Sequence, residues 1–385
     1  MPGFEAGGAS GACRMPIRVL VVDDSAFMRR ELKRLFADDP AFEVVATAVD
    51  GADGLRKARE FQPELVTLDV EMPQMSGLQA LPLILKACSP APKVMMCSSL
   101  TKQGSRESLK ALRLGATDVI PKDGSAITGV PSDPHTGIVP RVRALFPRLS
   151  VGTRAHITQT DAPARDGSRR AEDTGEAPDT FGDAEFRAAI GVDRRLVVIG
   201  SSTGGPPALE TVLKELPGSF DLPVVVAQHM PGTFTESLAE RLDHVTNLSV
   251  VHATTRLPLA PGVCCIIEGG REGVVESSGG KLWLSVGEPS PENRYKPSVN
   301  ALFGSAARAC GRSTVAIQLT GMGDDGLIGA RELHASGAAI ACQSQASCVV
   351  WGMPRVVQLE GLAVAALSPQ ELGKTLAGSA CRAVV

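Results

Sequence analysis

"RRLVVIGSSTGGPPAL" (residues 194–209) starts as an unbroken apolar run and ends in serines, glycines and prolines. Leu, Val, Val and Ile in succession, without polar alternation, suit a strand covered on both faces, as in a parallel sheet. The glycine-rich turn follows at once, and Pro206 and Pro207 suit the first turn of a helix. Strand, tight turn and helix make the repeating unit of an open α/β sheet.

That unit recurs toward the C-terminus. "LPVVVAQHM" (222–230), "SVVHATT" (249–255), "GVCCIIEG" (262–269), "STVAIQLTG" (313–321) and "GAAIACQS" (337–344) are further apolar runs. "TFTESLAERLDHV" (233–245) is helical in pattern, with Thr233 and Glu236 spaced as a capping box. Gly269, Gly270, Gly279 and Gly280 around "KLWLSVG" (281–287) predict antiparallel hairpins inserted in this domain.

The same alternation occupies the N-terminal part. "IRVLVVDD" (17–24), "FEVVATA" (42–48), "ELVTLDV" (64–70), "KVMMCSS" (93–99) and "ATDVIPK" (116–122) read as strands. "SAFMRRELKRLFADD" (25–39) reads as a helix with Phe27, Leu32, Leu35 and Phe36 on one face, and "TGIVPRVRALF" (136–146) as a last short helix. Residues 149–190 are rich in Pro, Gly, Ser, Asp and Arg and predict a flexible linker. The expected architecture is therefore α/β: two doubly wound parallel-sheet domains, 16–148 and 191–385, the second larger, joined by the linker 149–190.

Composition narrows the function. A chain of 385 residues that is 43% hydrophobic can bury two cores. Aromatics at 4%, with one tyrosine, argue against stacking platforms for single-stranded nucleic acid. A net charge of −3 gives no electrostatic reason for a nucleic-acid or anionic-membrane partner. The nine cysteines show no CxxC or Cys/His ligand spacing, so zinc is not expected and reduced thiols are. With no apolar run of membrane-spanning length and no apolar leader at the start, no membrane insertion and a cytoplasmic location are expected.

"GSSTGGPP" (200–207) admits three readings. A Walker A loop fails because prolines stand where Lys and Ser/Thr are needed, and G-x-G-x-x-G is absent. Gly200-Ser201-Ser202-Thr203-Gly204 does match G-x-S-x-G, a strand-to-helix elbow that presents Ser202. The plainer alternative is that Ser202 caps the following helix. A nucleophilic serine needs a base and an orienting carboxylate. Among the six histidines only His229 stands where an apolar strand gives way to a loop and helix, and "AIQLTGMGDDG" (316–326) presents Asp324 and Asp325 at another strand end. Three such groups at carboxyl ends of parallel strands favour hydrolysis over capping, and the glycines of "TGMG" leave backbone N–H groups for an oxyanion.

The N-terminal domain has its own constellation. Asp23 and Asp24 end the first strand, Asp69 the third, Ser98 the fourth and Lys122 the fifth. Converging carboxylates favour a hard divalent cation such as Mg²⁺, and a carboxylate held there beside a lysine and a hydroxyl can accept a phosphoryl group.

These motifs carry a resemblance. Residues 17–148 resemble a response-regulator receiver of the flavodoxin-like (βα)5 type. Residues 191–385 resemble the Rossmann-like catalytic domain of the CheB family, the chemotaxis protein-glutamate methylesterases, through "IGSSTGG", "AQHMPGTFTESLAERL", "NRYKPSVN", "LTGMGDDG" and "ASCVVWGMP". The resemblance implies Ser202 as nucleophile, His229 as base and Asp325 as its partner, with Met322 the oxyanion donor and Thr203 nearby. It implies Asp69 as phosphoacceptor, Asp23 and Asp24 as Mg²⁺ acids with Asp69, and Ser98 and Lys122 as the switch pair. It also implies chemoreceptors as protein substrate, a chemotaxis histidine kinase as phosphodonor, glutamine deamidation as a second activity, and relief of a receiver-imposed block on phosphorylation. Pro121 before Lys122, Asp123 after it, Val119 and Gln345 depart from the family pattern. The competing class is a phosphorylation-controlled binding module without catalysis, and methanol release from methylated receptors separates the two.

Overall fold

The computed structural model describes residues 15–122, 127, 137–149, 180–191 and 193–380. The N-terminal start, Asp123, His135, His156 and linker residues 150–179 lie outside them. The chain divides into two compact units, Met1–Met95 and Met96–Val385.

The first unit runs β1 (Ile17–Val22), α1 (Ala26–Ala37), β2 (Phe42–Ala48), α2 (Gly51–Phe61), β3 (Leu65–Asp69) and α3 (Gly77–Ala87). Its boundary falls inside β4 (Lys93–Ser98). β1 pairs in parallel with β2 and with β3. Val19, Leu20 and Val21 are fully buried, as an apolar run without alternation predicts. The sheet order is β2-β1-β3-β4-β5, where β5 is Asp118–Pro121. In α1, Ser25 is the N-cap and Leu32 and Phe36 are buried, whereas Phe27 is 60% exposed. At about 100° per residue, nine residues set Phe27 on the side opposite Phe36, so the expected single face does not include it.

The second unit contains α4 (Lys102–Arg113), β5, α5 (Ile138–Ala144), α6 (Asp183–Ile190), β6 (Leu196–Ser201), α7 (Gly205–Lys214), β7 (Val224–Gln228) and α8 (Gly232–Val245). It continues through β8 (Ser249–Ala253), β9 (Leu257–Pro258), β10 (Val263–Ile267), β11 (Glu272–Ser278), β12 (Lys281–Gly287) and α9 (Val299–Cys310). It ends with β13 (Thr314–Gln318), α10 (Leu327–Ala335), β14 (Ala339–Gln343), α11 (Met353–Leu359), β15 (Ala365–Leu367) and α12 (Pro369–Ala380).

Seven parallel strands form the main sheet in the order β15-β14-β13-β6-β7-β10-β8. From β6 the chain builds one side through β7, and it returns at β13 to build the other. β13 pairs with β6 from Thr314–Leu196 to Gln318–Gly200. The order therefore reverses at β6 and β13, and a crevice forms outside their carboxyl ends. Val198, Val225, Cys265, Phe303 and Ile340 belong to the core around the sheet. The expected hairpin is present as a separate antiparallel sheet, β11-β12-β9.

Two local expectations are corrected. Residues 183–190, inside the stretch read as linker, form α6, which buries Phe186 and Ile190, while Phe181 pairs with Ala366. Composition favours a linker there, but two apolar side chains four apart are enough to dock one face. The Thr233–Glu236 capping box does not form. Pro231 is the N-cap, its carbonyl taking the Phe234 and Thr235 N–H groups, so the helix begins earlier and Thr233 lies inside it.

Candidate active site

The elbow after β6 is tight. The Ser202 N–H donates to Thr320 O at 3.0 Å, and the Gly205 N–H turns back to Ser202 O at 2.8 Å. Gly204, with φ of 78°, is the N-cap of α7, and no side chain caps that helix. Ser202 is therefore not a cap, which removes the plainer reading of the motif. Ser201 points away: its buried hydroxyl donates to Gln228 Oε1 at 2.6 Å.

Gln228, the last residue of β7, ties the elbow to the neighbouring strand end. Its Nε2 donates to Ser202 O at 2.9 Å, and the His229 N–H donates to Ser201 O at 3.0 Å. Ser202 and His229 are thus set by backbone on adjacent strands.

Asp325 follows β13 on the other side of β6. Its Oδ2 lies 2.8 Å from His229 Nε2 and accepts the Val299 N–H at 2.7 Å. Its Oδ1 accepts the Asn300 N–H at 2.9 Å and the Ser298 hydroxyl at 3.3 Å. These donors are the N-terminal turn of α9. Burial alone would raise the Asp325 carboxyl, but the bond to His229, the imidazole's charge and the two N–H groups hold it below the usual carboxylate value. With Nε2 turned to the carboxylate, the ring nitrogen left to serve as base is Nδ1. Asp324, its neighbour, is exposed.

The loop between β13 and α10 closes the crevice. A Cβ on Gly321 would lie 2.8 Å from the Ser202 Cβ and would run into Met353 Sδ, so only glycine lets this loop approach the serine. The Gly321 N–H and O are used by Val350, Gly352 and Met353. Among the described residues no acceptor takes the Met322 or Thr203 N–H. The Thr203 hydroxyl is engaged, donating to Asp118 Oδ2 at 2.8 Å, and Arg141 holds that same oxygen at 2.7 Å. A cavity of about 30 Å³ is lined by Asp118, Pro121 and Arg141 together with Pro206, His229 and Phe234. A larger cleft, about 650 Å³, opens beside Asp325 between Tyr295, Asn300, Asp324 and Arg331. Burial pushes the Cys265 and Cys348 thiols up to about 12, so neither competes as a nucleophile.

In the first unit, ligand oxygens of Asp23, Asp24 and Asp69 all lie within 4.8 Å of one another. Asp23 and Asp69 are buried and Asp24 is exposed. An all-carboxylate set fits a hard cation such as Mg²⁺. In the second unit, the Ser98 hydroxyl donates to Gly104 O at 3.1 Å, and the Lys122 N–H donates to Ser98 O at 2.7 Å.

Several contributors escaped the sequence reading: Gln228, the Ser298–Asn300 turn, Asp118 and Tyr295, whose ring stacks on His229 at 4.6 Å with 2° between planes. The quoted motifs "AQHM" and "NRYKPSVN" contained three of these groups without indicating their roles. No helix among the described residues is long and apolar enough to cross a membrane.

A profile for the response regulator receiver domain matches residues 19–128, and one for CheB methylesterase matches residues 197–376. The chain is 38% identical over 396 residues to a protein-glutamate methylesterase/protein-glutamine glutaminase of Alkalilimnicola ehrlichii, covering 94% of this chain and 99% of that one. A like-named protein of Oleidesulfovibrio alaskensis is 40% identical over 365 residues, covering 94% and 98%. One of Desulfitobacterium hafniense is 36% identical over 374 residues, covering 91% and 94%. On that near-complete likeness, the chain belongs to the CheB methylesterase family, with a receiver domain joined to a methylesterase domain.

Proposed function

We propose that this chain hydrolyses glutamate methyl esters, and the corresponding glutamine amides, on chemoreceptors, with Ser202 as nucleophile, His229 as base and Asp325 as its orienter. The observation that carries this is the Asp325–His229 Nε2 bond, which leaves Nδ1 for the elbow serine. Ser202 Oγ attacks the side-chain carbonyl carbon as its proton passes to Nδ1. The Met322 and Thr203 N–H groups donate to the resulting oxyanion. Collapse breaks the C–O bond, and the imidazolium returns its proton to the departing methoxide, releasing methanol. Water then attacks the acyl-serine with His229 again as base, giving the glutamate carboxylate and free Ser202. For an amide the leaving group is ammonia.

The domain limits follow as 16–148 for the receiver and 191–385 for the hydrolase, with α6 an outlying helix near the start of the latter. In the receiver, Asp23, Asp24 and Asp69 hold Mg²⁺ and Asp69 takes the phosphoryl group from a chemotaxis histidine kinase. Mg²⁺ bound by these carboxylates would supply charge neutralisation for that transfer. Ser98 and Lys122 then move toward the phosphoryl group. Lys122 directly follows β5, the strand whose Asp118 holds the Thr203 hydroxyl beside the nucleophile. Release of that bond is the step that frees the crevice. The setting is the cytoplasm, where receptor helices and kinase are both accessible.

The test is methanol release from membranes bearing methylated receptors. Turnover by the wild type and none by Ser202→Ala is expected; receptor binding without methanol would leave a binding module. Asp118→Ala should raise turnover before phosphorylation, and an unchanged rate would remove Asp118 from the control.

A further inference from the structure

Tyr295 is the chain's single tyrosine, and it lies against the base. Its ring is parallel to the His229 imidazole, 4.6 Å between centroids with 2° between planes. Aromatic pairs in such contact gain about 0.5–1.5 kcal/mol beyond burial, and the gain depends on geometry. The phenol end reaches the loop that carries Met322: a Cβ on Gly323 would lie 2.6 Å from the Tyr295 hydroxyl. Gly323 has φ of 86°, so this position is both backbone-restricted and sterically closed. Three residues on, Ser298 caps α9 and with Val299 and Asn300 supplies the donors that hold Asp325. One short segment therefore grips the triad's carboxylate and covers the face of its imidazole.

We infer that Tyr295 is a positioning residue, its ring holding the His229 plane so that Nδ1 meets Ser202, with its phenol end abutting Gly323. Among the described residues the imidazole has one hydrogen-bond tether, at Nε2, which leaves rotation about its Cβ–Cγ bond weakly restrained. A parallel ring on its face removes that freedom. The face of a tyrosine also attracts the cationic imidazolium formed during each half-reaction. Tyr295 touches neither the bond broken nor the proton moved, so its role is exerted through His229.

This inference rests on the triad proposed above, and its test is separable from the receptor reaction. A fluorophosphonate probe labels an activated serine without any receptor. The full-length protein is labelled and the modified residue is mapped. Labelling of wild type at Ser202, absent in Ser202→Ala, establishes the triad; no labelling of wild type would overturn the triad and this inference with it. Tyr295→Phe, which keeps the stack, should label within about twofold of wild type, and Tyr295→Leu about five- to tenfold more slowly. On methylated receptors the loss in Tyr295→Leu should fall on kcat with KM unchanged. Equal labelling by Tyr295→Leu and wild type, or a loss confined to KM, would overturn the inference. If Tyr295→Leu fails to fold by its thermal melt, a second pair decides. Gly323→Ala should slow labelling, and adding Tyr295→Phe, which removes the clashing oxygen, should restore part of it. No restoration would overturn the inference.

Discussion

The molecule holds two acidic sites at strand ends, and they are solved in opposite ways. Asp23, Asp24 and Asp69 bring carboxylate oxygens within 4.8 Å of one another, like charges whose clustering favours a bound cation. Asp325 is a lone buried carboxylate whose oxygens take donors from His229, Ser298, Val299 and Asn300, all within the fold. The first site is built to respond to what binds it. In the second, the hydrogen bonds that hold the carboxylate come from the protein itself. A cation site gathers several like charges in one place, whereas a hydrolytic site sets its orienting bonds in advance.

The comparison fails at once if Ser202 is not the group Asp325 serves. Ser202→Ala should lower methanol release on the order of 10⁶-fold, the scale seen when a triad serine is removed. Wild-type turnover in that variant, with loss in Ser201→Ala, would move the nucleophile by one residue.

Asp325→Asn sharpens the contrast. It keeps the shape but lacks the charge, and kcat should fall up to about 10⁴-fold. Exposed Asp324→Asn should change it by no more than about twofold. A larger loss at Asp324 would reverse the roles.

The open site should depend on its cation and the closed one should not. Chelating Mg²⁺ should slow phosphorylation of Asp69 by on the order of a hundredfold. The unphosphorylated rate of ester hydrolysis should stay unchanged, and a fall in it would show that the two sites share a requirement for metal.

A smaller effect lies in acid. The Asp325 carboxyl is held below its ordinary value of 3.8 in the folded protein. Its bonds therefore stabilise the fold fully above that value, and the contribution is lost as pH falls through the lowered one. Denaturant unfolding of wild type and Asp325→Asn should differ near neutrality by about 1–3 kcal/mol. The gap should close below pH 3.8; a gap independent of pH would place the carboxylate's worth in packing. The least change is expected at the surface: Lys102 pairs with Glu236 and Glu240 at 2.7 and 2.8 Å, and Lys102→Ala should leave the melting temperature within experimental scatter.

Much of this was legible in the chain. Unalternating runs such as "LVVIGS" marked buried parallel strands, and strand-end placement pointed to Ser202, His229 and the pair Asp324 and Asp325, between which only the family resemblance chose. What could not be read was tertiary. Gln228 looks like any polar strand end until its amide is seen bridging two strands. Tyr295 sits in a polar loop, and only the fold brings it onto His229. Thr233 and Glu236 had the spacing of a cap, but Pro231 starts the helix earlier. Phe27 was apolar in sequence, and helical rotation turned it outward.

The insertion of β13 between β6 and β14 has a consequence for how the enzyme comes into being. Ser202 and His229 leave the ribosome well before Asp325, and the strand that carries Asp325 must slot in beside β6, pairing Gln318 with Gly200 across 118 positions. Such distant pairings close late, because the intervening loop must first be ordered. A nascent or truncated chain ending before β13 would therefore carry Ser202 and His229 but not Asp325, the carboxylate bonded to His229. On the proposed triad, hydrolytic competence thus arrives only once β13 and the loop after it have emerged, long after the receiver has been synthesised.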